Sequence, residues 1–193
     1  MRYSVTEDKR NNLECYLYLI SCIICVGLEV FLLSKITFPN LIINTLWILL
    51  QCAITVSPFL FVWLIKKLFW KFFLKLCGIK NLSGTYEVEI QSNYKKRKTS
   101  HAILEIKQNL DTIKIYFNAD KSKSYAINAK IENTNLYPIL YYTYNNEGDG
   151  ADNHNNTHIG TAVLTFFENK IDGYYYNNGK DRRTYGTIKS VEK

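Results

Sequence analysis

The residues best suited to binding a ligand lie close to the C-terminal end of the chain. Residues 174–184 read YYYNNGKDRRT and bring aromatic rings, amides and guanidinium groups into one predicted hairpin. Aromatic rings stack on nucleobases, and an arginine side chain binds phosphate oxygens through two parallel hydrogen bonds. The cluster therefore has the chemistry needed to hold a nucleotide-like ligand.

Catalysis and metal binding have little support in the sequence. It contains no phosphate-binding loop, dinucleotide fingerprint, paired-cysteine motif or nucleophile elbow, and nothing pairs a nucleophile with a base. His154 and His158 have a ligand spacing only on a helix, but their surroundings have the composition of a loop. Asp149 begins no calcium loop, because Ala151 stands at the next ligand position. We therefore expect a binding domain rather than an enzyme, with neither metal nor cofactor.

Charge argues against a long nucleic acid as the partner. Residues 81–193 hold fifteen Lys or Arg and thirteen Asp or Glu, a net charge of +2, whereas proteins that bind DNA or RNA polymers present a strongly basic face. The basic run 95–98 is best interpreted as a solvated hairpin tip or as a contact with anionic lipid. The whole chain is rich in Asn, Lys, Ile and Tyr, so the abundance of tyrosine alone indicates no nucleotide pocket.

The elements that must position the cluster are β-strands. From residue 82 onward the hydrophobic period is two, and eight strand-like runs are separated mostly by hairpin-turn signals. Such consecutive strands predict an all-β domain over residues 82–193, an eight-stranded antiparallel up-and-down, lipocalin-like β-barrel. The predicted strands are Ser83–Gln91, Ser100–Gln108, Thr112–Ala119, Ser124–Glu132, Leu136–Tyr144, Thr157–Phe167, Lys170–Asn177 and Arg182–Val191.

The predicted barrel faces water on its outside. In its first four strands apolar residues alternate with charged ones such as Glu87, Glu105 and Lys114, whereas an outer-membrane barrel has an apolar exterior. A barrel of this strand number is just wide enough to hold one small ligand. All five cysteines precede residue 82, so their absence from the barrel fits a reducing compartment.

Two apolar segments precede the barrel. Residues 15–33 contain one charge, Glu29, and residues 41–65 contain none. A helix of about 20 residues crosses the hydrocarbon of a bilayer, so both segments are long enough to span it. The predicted domains are a cytoplasmic N-terminal tail at 1–12, transmembrane helices at 13–34 and 41–65, a periplasmic loop at 35–40, a basic amphipathic juxtamembrane linker at 66–81 and the cytosolic β-barrel at 82–193.

Lysine and arginine residues set the predicted orientation. Three precede the first span and five follow the second at 66–80, whereas the loop between the spans holds only Lys35. By the positive-inside rule both termini lie in the cytoplasm, which in a bacterium places the hairpin in the inner membrane. The lysines of 66–80 alternate with Leu, Phe and Trp, so this segment either lies along anionic membrane lipids or extends the second helix into the headgroups, the interpretation we favour.

Three polar residues within the spans are candidates for contacts in the membrane. Glu29 and Asn44 lie at similar predicted depth, so a hydrogen bond between them across the hairpin is one interpretation. The other, which we favour, is that Glu29 extends its carboxylate to the nearby interface. Gln51 lies near mid-membrane and needs a partner on another helix, either in the same hairpin or in a second protomer.

The whole layout resembles a known family. After two predicted spans, residues 82–86 (LSGTY) open the β-rich domain, and residues 173–188 close it with GYYY followed by RRTYGTI. This arrangement is similar to the SMODS-associated two-transmembrane, β-strand-rich effector family, the membrane-anchored β-barrel effectors of the CBASS antiphage systems. The resemblance covers essentially the whole chain.

The resemblance implies an antiphage mechanism. A partner nucleotidyltransferase of the CD-NTase class makes a cyclic dinucleotide during infection, and the barrel binds it. Binding drives homo-oligomerisation, the clustered hairpins disrupt the inner membrane, and the infected cell dies. The ligand must bind the assembled state more tightly than the single chain, because otherwise it would not shift the equilibrium.

Within this mechanism we predict which residues meet the ligand. Arg182, Thr184 and Tyr176 are expected to contact the phosphates and a base, with Arg183 as a weaker candidate. Strand alternation puts Arg182 and Thr184 on one face and Arg183 on the other. One arginine is therefore expected to face the lumen of the barrel.

Two other functions fit the same layout. The first is a membrane-tethered, calycin-like carrier, which predicts an apolar lumen with no inward arginine and a bound apolar ligand. The second is a non-catalytic membrane scaffold, which predicts a barrel filled by its own tyrosines. The packing of the lumen therefore discriminates between these functions and a nucleotide receptor.

Overall fold

The computed structural model describes residues 1–5, 9–33, 47, 57–93, 99–119, 122–134, 136–148, 158–168, 170–179 and 182–191. The chain divides into two compact units. One unit consists of Met1–Asp8 and Leu74–Lys193, and the other consists of Lys9–Phe73. The N-terminal residues thus belong to the same unit as the C-terminal domain, although the second unit separates them in sequence.

The unit Lys9–Phe73 is helical. Its first helix, α1 (Arg10–Leu33), begins and ends close to the predicted span 13–34. Among the described residues it is the one helix long and apolar enough to cross a membrane, with 22 residues of mean hydropathy 1.9. Large apolar side chains such as Ile23 and Phe31 are 63% and 57% exposed, a surface that is favourable in lipid and unfavourable in water. Helix α2 (57–68) and helix α3 (Trp70–Leu76) follow.

Helices α1 and α2 pack against each other as antiparallel neighbours. Residues further along α1 contact residues earlier in the described part of α2. The contacts are a hydrogen bond of 2.5 Å from Lys66 Nζ to Glu14 Oε1, a ring pair of Tyr18 and Phe59 with centroids 5.6 Å apart, and a distance of 3.3 Å between Cys25 Sγ and Ser57 Oγ.

Most of the predicted second span lies outside the described residues. Of residues 34–56 only Trp47 is described, and it is helical. The predicted loop 35–40 lies outside the described residues, and so do Asn44 and Gln51, so the contacts expected of them stay predictions. Glu29 lies partly buried on α1.

The other unit is a closed β-barrel. Within the described residues its strands are β1 (Ser4–Val5), β2 (Gly84–Ser92), β3 (Thr99–Gln108), β4 (Ile113–Ala119), β5 (Ser122–Asn133), β6 (Pro138–Gly148), β7 (His158–Phe166), β8 (Ile171–Gly179) and β9 (Arg182–Ser190). Strands β2 to β9 each pair antiparallel with their neighbours in the chain, and β2 also pairs antiparallel with β9. The predicted eight-stranded antiparallel barrel is therefore confirmed.

Strand alternation decides which side chains fill the barrel. Large aliphatic residues occupy the inner positions of one half of it, and charged residues such as Lys107 and Lys114 alternate with them on the outside. Burying each such aliphatic side chain contributes about 1.5–3 kcal/mol, and a shift of one residue would expose the whole set, so this register is strongly preferred. We call this half the apolar half; its inner residues, each 0–2% exposed, are Leu104, Ile106, Ile113, Ile115, Ile131, Leu140 and Leu164.

A glycine ends the last helix and starts the connection to the barrel. Gly78 has a φ of 71°, in the left-handed region that favours glycine after a helix. Its backbone N donates to Lys75 O at 3.1 Å, and Ile79 N donates to Leu74 O at 2.8 Å, which satisfies carbonyls at the helix end. Ile79 and Leu82 are then buried, 3% and 2% exposed.

The N-terminal residues form a wall strand, whereas the sequence predicts only a tail. Strand β1 pairs parallel with Lys130 and Ile131 of β5. Arg2 forms an antiparallel bridge with Thr112, which directly precedes β4. Residues 1–5 therefore lie in the barrel wall between β4 and β5.

Candidate functional site

The inner side chains change in character from one half of the barrel to the other. Opposite the apolar half, the inner positions are occupied by small and mostly polar residues that are only partly buried. We call this region the cup; its inner residues include Ser92, Ser100, Ser122, Ser124, Thr184 and Gly186. Their partial exposure means that solvent reaches these side chains. The cup is therefore the more polar and less completely buried part of the lumen.

Tyrosine rings form the base of the cup. Tyr142 and Tyr144 are 4% and 8% exposed, and their ring centroids are 5.9 Å apart. The ring of Tyr144 lies so close to Gly160 that an added Cβ there would come within 2.3 Å of its Cζ. The ring of Tyr175 covers Gly186 in the same way, at 2.6 Å from an added Cβ to its Cε1. Both glycines thus make room for the rings, since any side chain would collide with them.

Asn177 is a buried polar side chain at the same level of the barrel. It is 6% exposed, and it pairs with Gly160 on β7 and with Thr184 on β9. Among the described residues its Oδ1 has no hydrogen-bond partner. Leaving such an acceptor buried and unsatisfied costs about 1–3 kcal/mol, and native proteins contain few of them. The base of the cup therefore holds an acceptor that no described protein group uses.

Burial sets the protonation of the inner tyrosines. Desolvation raises the pKa of Tyr142 and of Tyr144 well above the ordinary value for a phenol. Burial also raises the pKa of Tyr175, although its hydrogen bond to Ser92 acts in the opposite direction. These phenols therefore stay protonated at neutral pH. Elsewhere in the described part of the chain, no three His, Cys, Asp or Glu side chains cluster as a metal site would need.

The raised tyrosine pKa values predict a loss of stability at alkaline pH. The folded chain favours the neutral phenol of Tyr142, so the unfolded chain releases this proton first, near the ordinary pKa of about 10. The stabilisation is fully present below that pH and is lost as pH rises toward the folded pKa, by up to about 1.4 kcal/mol per pH unit. We expect Tyr142→Phe to reduce the decline of unfolding free energy above pH ~10 without changing its slope near neutral pH.

Urea unfolding at a series of pH values measures this effect. The matched control is Tyr185→Phe, because that side chain is 60% exposed. Equal alkaline slopes for the wild type and Tyr142→Phe would contradict the assignment.

The outer surface of β8 and β9 is rich in exposed tyrosine. Tyr174, Tyr176 and Tyr185 are 59%, 45% and 60% exposed. They border an open groove of about 530 Å³, within the range of about 300–1,000 Å³ typical of small-molecule sites. Two hydrogen bonds join Asn93, one of the lining residues, to the backbone of Tyr185. Asn93 N donates to Tyr185 O at 2.9 Å, and Asn93 Oδ1 accepts from Tyr185 N at 3.0 Å. The remaining lining residues are Gln91, Ser92, Tyr175, Gly186 and Thr187.

The structure distributes the predicted ligand residues over both faces of the wall. Thr184 lies on the inner face, in the cup, and is partly buried. Tyr176 and Arg183 are exposed on the outer face, so Tyr176 does not share the face of Thr184. Arg182 begins β9, but its side chain lies outside the described part of the structure. The prediction that Thr184 and Arg183 face opposite ways agrees with this arrangement.

The inner residues Asn177, Tyr175 and Tyr144 are not among the ligand residues predicted from the sequence. Asn177 belongs to the cluster at 174–184, and its pairing with Thr184 across the β8–β9 hairpin puts it on the same face. The register of the β8–β9 hairpin is the signal that identifies Asn177 as an inner residue. This register depends on the length of the turn between the two strands. The basic run 95–98 and His154 lie outside the described residues.

Comparison with known proteins identifies the family. Residues 78–191 match the family model described as Cap15, cyclic dinucleotide receptor domain. A CD-NTase-associated protein 15 of Yersinia aleksiciae is 29% identical over 133 residues, which cover 67% of this chain and 64% of that protein. A CD-NTase-associated protein 15 of Staphylococcus schleiferi is 29% identical over 142 residues, or 69% of this chain and 75% of that protein. Since the matched residues make up more than half of the chain, it belongs to the Cap15 cyclic dinucleotide receptor family, and its resemblance to the CBASS effectors is confirmed.

Proposed function

We propose that this chain is a CBASS effector that binds a cyclic dinucleotide in the cup of its barrel. The family supplies the class of ligand, and Asn177 is the single observation that carries the site, because its acceptor is buried without a partner among the described residues. A side-chain amide is suited to reading a base edge, since its oxygen accepts an N–H group and its nitrogen donates. A bound base would complete the hydrogen bonding that the folded chain leaves open.

The cup also offers donors for the phosphates of such a ligand. The hydroxyl of Thr184 lies on its inner face, and the phenol of Tyr144 is held in the protonated form. Ser92 and Tyr175 hydrogen-bond to each other, which leaves one hydroxyl hydrogen of that pair for a phosphate oxygen. Hydrogen bonds to an ionised acceptor are shorter and stronger than those between neutral groups. Arg182, predicted to face the lumen beside Thr184, would add a bidentate contact to a phosphate.

An apolar ligand fits this lumen less well. The inner residues of the apolar half are 0–2% exposed, so their side chains already fill the space between them. The part of the lumen that water reaches is the cup, whose inner side chains are mostly polar. These two observations favour a nucleotide receptor over a carrier of apolar molecules.

We also propose that the helices form a two-span hairpin in the bacterial inner membrane. Strand β1 precedes α1, yet it pairs within the same barrel as β2 to β9, so the chain must leave the barrel and return to it. If α1 is one crossing, a second crossing has to bring the chain back to the same side. The predicted span 41–65 supplies it, and the antiparallel contacts of α1 with α2 support it. The lysine distribution assigns that side to the cytoplasm.

The signalling step of the proposal is assembly. A cyclic dinucleotide made by a CD-NTase binds the barrel, favours a homo-oligomer and thereby clusters the hairpins, which disrupt the membrane and kill the infected cell. The free energy that drives assembly is the difference between the affinities of the oligomer and of the single chain for the ligand. The exposed apolar surface of α1 is available for contacts between helices in the membrane.

Titration of the full chain tests this function. Detergent-solubilised protein is titrated with a panel of cyclic dinucleotides and their linear counterparts, while heat and particle mass are recorded. The same protein in dye-loaded vesicles of bacterial lipid reports leakage. We expect at least one cyclic dinucleotide to bind, raise the mass and release dye, and its linear counterpart to do none of these. Binding without a rise in mass would contradict assembly, and no binding would contradict the receptor.

A pair of arginine variants tests the location of the site. Arg182→Ala is expected to raise the Kd by about tenfold to 100-fold, because hydrogen bonds to charged groups contribute about 1.5–3 kcal/mol. Arg183→Ala is the matched control, since this neighbour is exposed on the outer face, and it should change the Kd less than about threefold. Calorimetric titration measures both. If neither variant binds more weakly, the ligand lies elsewhere; if only Arg183→Ala does, the ligand binds on the outer face of the wall.

A further inference from the structure

The barrel wall is split between β4 and β5. These strands pair with each other only over Tyr116–Ala119 and Ser122–Tyr125. Beyond that point the register of β5 against β6 is irregular at 126–128, and Lys130–Ile131 pairs with β1 instead of β4. We call the space between the backbone edges of Lys130–Ile131 and Thr112–Ile113 the slot.

The N-terminal segment occupies the slot as a wall strand does. Met1 O accepts from Ile113 N at 2.9 Å, and the terminal amino group of Met1 donates to Ile113 O at 3.3 Å. Tyr3 and Val5 are 2% and 9% exposed, whereas the intervening Ser4 is exposed. This inside-outside alternation is the pattern of a strand whose two faces meet a core and water.

A buried glutamine joins this segment to the connection that follows α3. The Tyr3 hydroxyl donates to Asn109 O at 3.1 Å and accepts from Gln108 Nε2 at 3.1 Å. The same Gln108 side chain donates to Lys80 O at 3.2 Å and accepts from Leu82 N at 2.7 Å. The segment that leads into α1 and the segment that arrives from α3 are thus fastened to one side chain.

We propose that the slot is a strand-binding site whose occupant is the N-terminus of the chain itself, and that release of β1 from it accompanies activation. This rests on the proposed function for the activating ligand. A bound β1 ties the beginning of the helical unit to the receptor at a second point, in addition to the connection through α3. Its release would leave the helical unit attached at one point only, free to meet helices of other chains.

The geometry provides two competing arrangements for the same backbone edge. The edge of β5 at Lys130–Ile131 can bond to β1 or to a lengthened β4, but not to both. The receptor domain matched by the family model, 78–191, contains β2 to β9 and excludes β1. A ligand in the cup lies beside the paired ends of β4 and β5, near Ser122. Extension of the β4–β5 pairing into the slot would displace β1. Two discrete pairings of one edge form the bistable element that a switch needs.

A disulfide across the slot tests occupancy and release. Ser4 and Lys130 are Cα partners and both are exposed, and strands about 4.7–4.9 Å apart meet the Cα separation of about 4.4–6.8 Å for a disulfide. Ser4→Cys with Lys130→Cys is made in the full chain with the five native cysteines replaced by alanine. The control pair is Ser4→Cys with Glu89→Cys, on the exposed face of β2. Without ligand, we expect the first pair to crosslink at least tenfold faster than the control pair.

The activating ligand supplies the second readout. A cyclic dinucleotide that binds the reduced protein should lower the crosslinking rate of the pair Ser4→Cys and Lys130→Cys severalfold. The crosslinked protein should still bind that ligand but release vesicle dye at least tenfold more slowly, and a reducing agent should restore leakage.

Each outcome decides one part of the proposal. Equal crosslinking of the test and control pairs without ligand would overturn the strand-binding site. Ligand binding with undiminished leakage from the crosslinked protein would overturn release. A failure of every cyclic dinucleotide to bind the reduced protein would overturn the proposed function and release with it, while the rate without ligand still decides occupancy of the slot.

Discussion

Replacing Asn177 with leucine is expected to raise the Kd for the cyclic dinucleotide by about tenfold to 100-fold. The change removes the acceptor at the base of the cup and leaves a buried N–H group of the ligand unsatisfied, which costs about 1–3 kcal/mol, or a factor of ten for each 1.4 kcal/mol. Leucine has nearly the shape of asparagine, so the cup keeps its volume. Calorimetric titration of the full chain in detergent measures the effect.

The same substitution should leave stability equal or raise it. In the free protein, Asn177 Oδ1 is buried without a partner among the described residues, so an apolar side chain relieves a desolvation cost. We expect the free energy of unfolding to stay the same or to rise by about 1 kcal/mol. Opposite effects on affinity and stability distinguish a binding residue from a structural one.

The matched control is the same substitution on the outer face. Asn118 is exposed on β4, and Asn118→Leu should change neither the Kd nor the unfolding free energy by more than about 0.5 kcal/mol. If Asn177→Leu unfolds the barrel or binds like the wild type, Asn177 is not the ligand acceptor. Loss of stability would instead show that its amide supports the folded wall.

The strands were predictable because the signal that specifies them is local. Outside the irregularity at 126–128 of β5, each inner residue is followed two positions later by another, and water faces the residues between them. The predicted strand Arg182–Val191 and the observed β9, Arg182–Ser190, therefore differ by one residue at one end. Any other register would expose aliphatic side chains of the apolar half, so the pattern alone selects the fold.

The faces of the tyrosine run were not predictable in the same way. Residues 174–176 are all tyrosine, so no contrast in polarity indicates which ring turns inward. The structure turns Tyr175 inward and leaves Tyr174 and Tyr176 exposed, and the cause lies on another strand. Glycine at position 186 of β9 leaves room on the inner face for the ring of Tyr175. Such a contact depends on the register between β8 and β9, so it cannot be predicted from the hydrophobic periodicity of either strand.

Strand β1 was beyond prediction for a related reason. The segment MRYSV is too short to show a period, and its partners lie more than one hundred residues away in the chain. A short polar segment before an apolar helix is typical of a tail. It becomes a strand because the slot offers unpaired backbone groups, which must find partners when they are buried. The strand conformation of residues 4–5 is therefore determined by the backbone groups of β4 and β5.

Replacing Gln108 with leucine is expected to lower the free energy of unfolding by about 3 kcal/mol. The side chain is 5% exposed and satisfies Leu82 N, Lys80 O and the Tyr3 hydroxyl, three groups on two separate segments. Each buried polar group left without a partner costs about 1–3 kcal/mol, and water that reaches the less buried of them reduces the sum. Urea unfolding of the full chain in detergent measures the loss, and amide exchange locates it at Leu82 and Ile113.

Gln91→Leu is the control, because Gln91 is an exposed glutamine on β2, and it should change stability by less than about 0.5 kcal/mol. A loss of stability with faster exchange at both Leu82 and Ile113 means that one side chain secures both connections of the helical unit. Faster exchange at Leu82 alone would mean that β1 is held by its backbone pairing, without help from Tyr3. A change below about 0.5 kcal/mol would contradict the role of Gln108, because three buried groups cannot lose their partner at so small a cost.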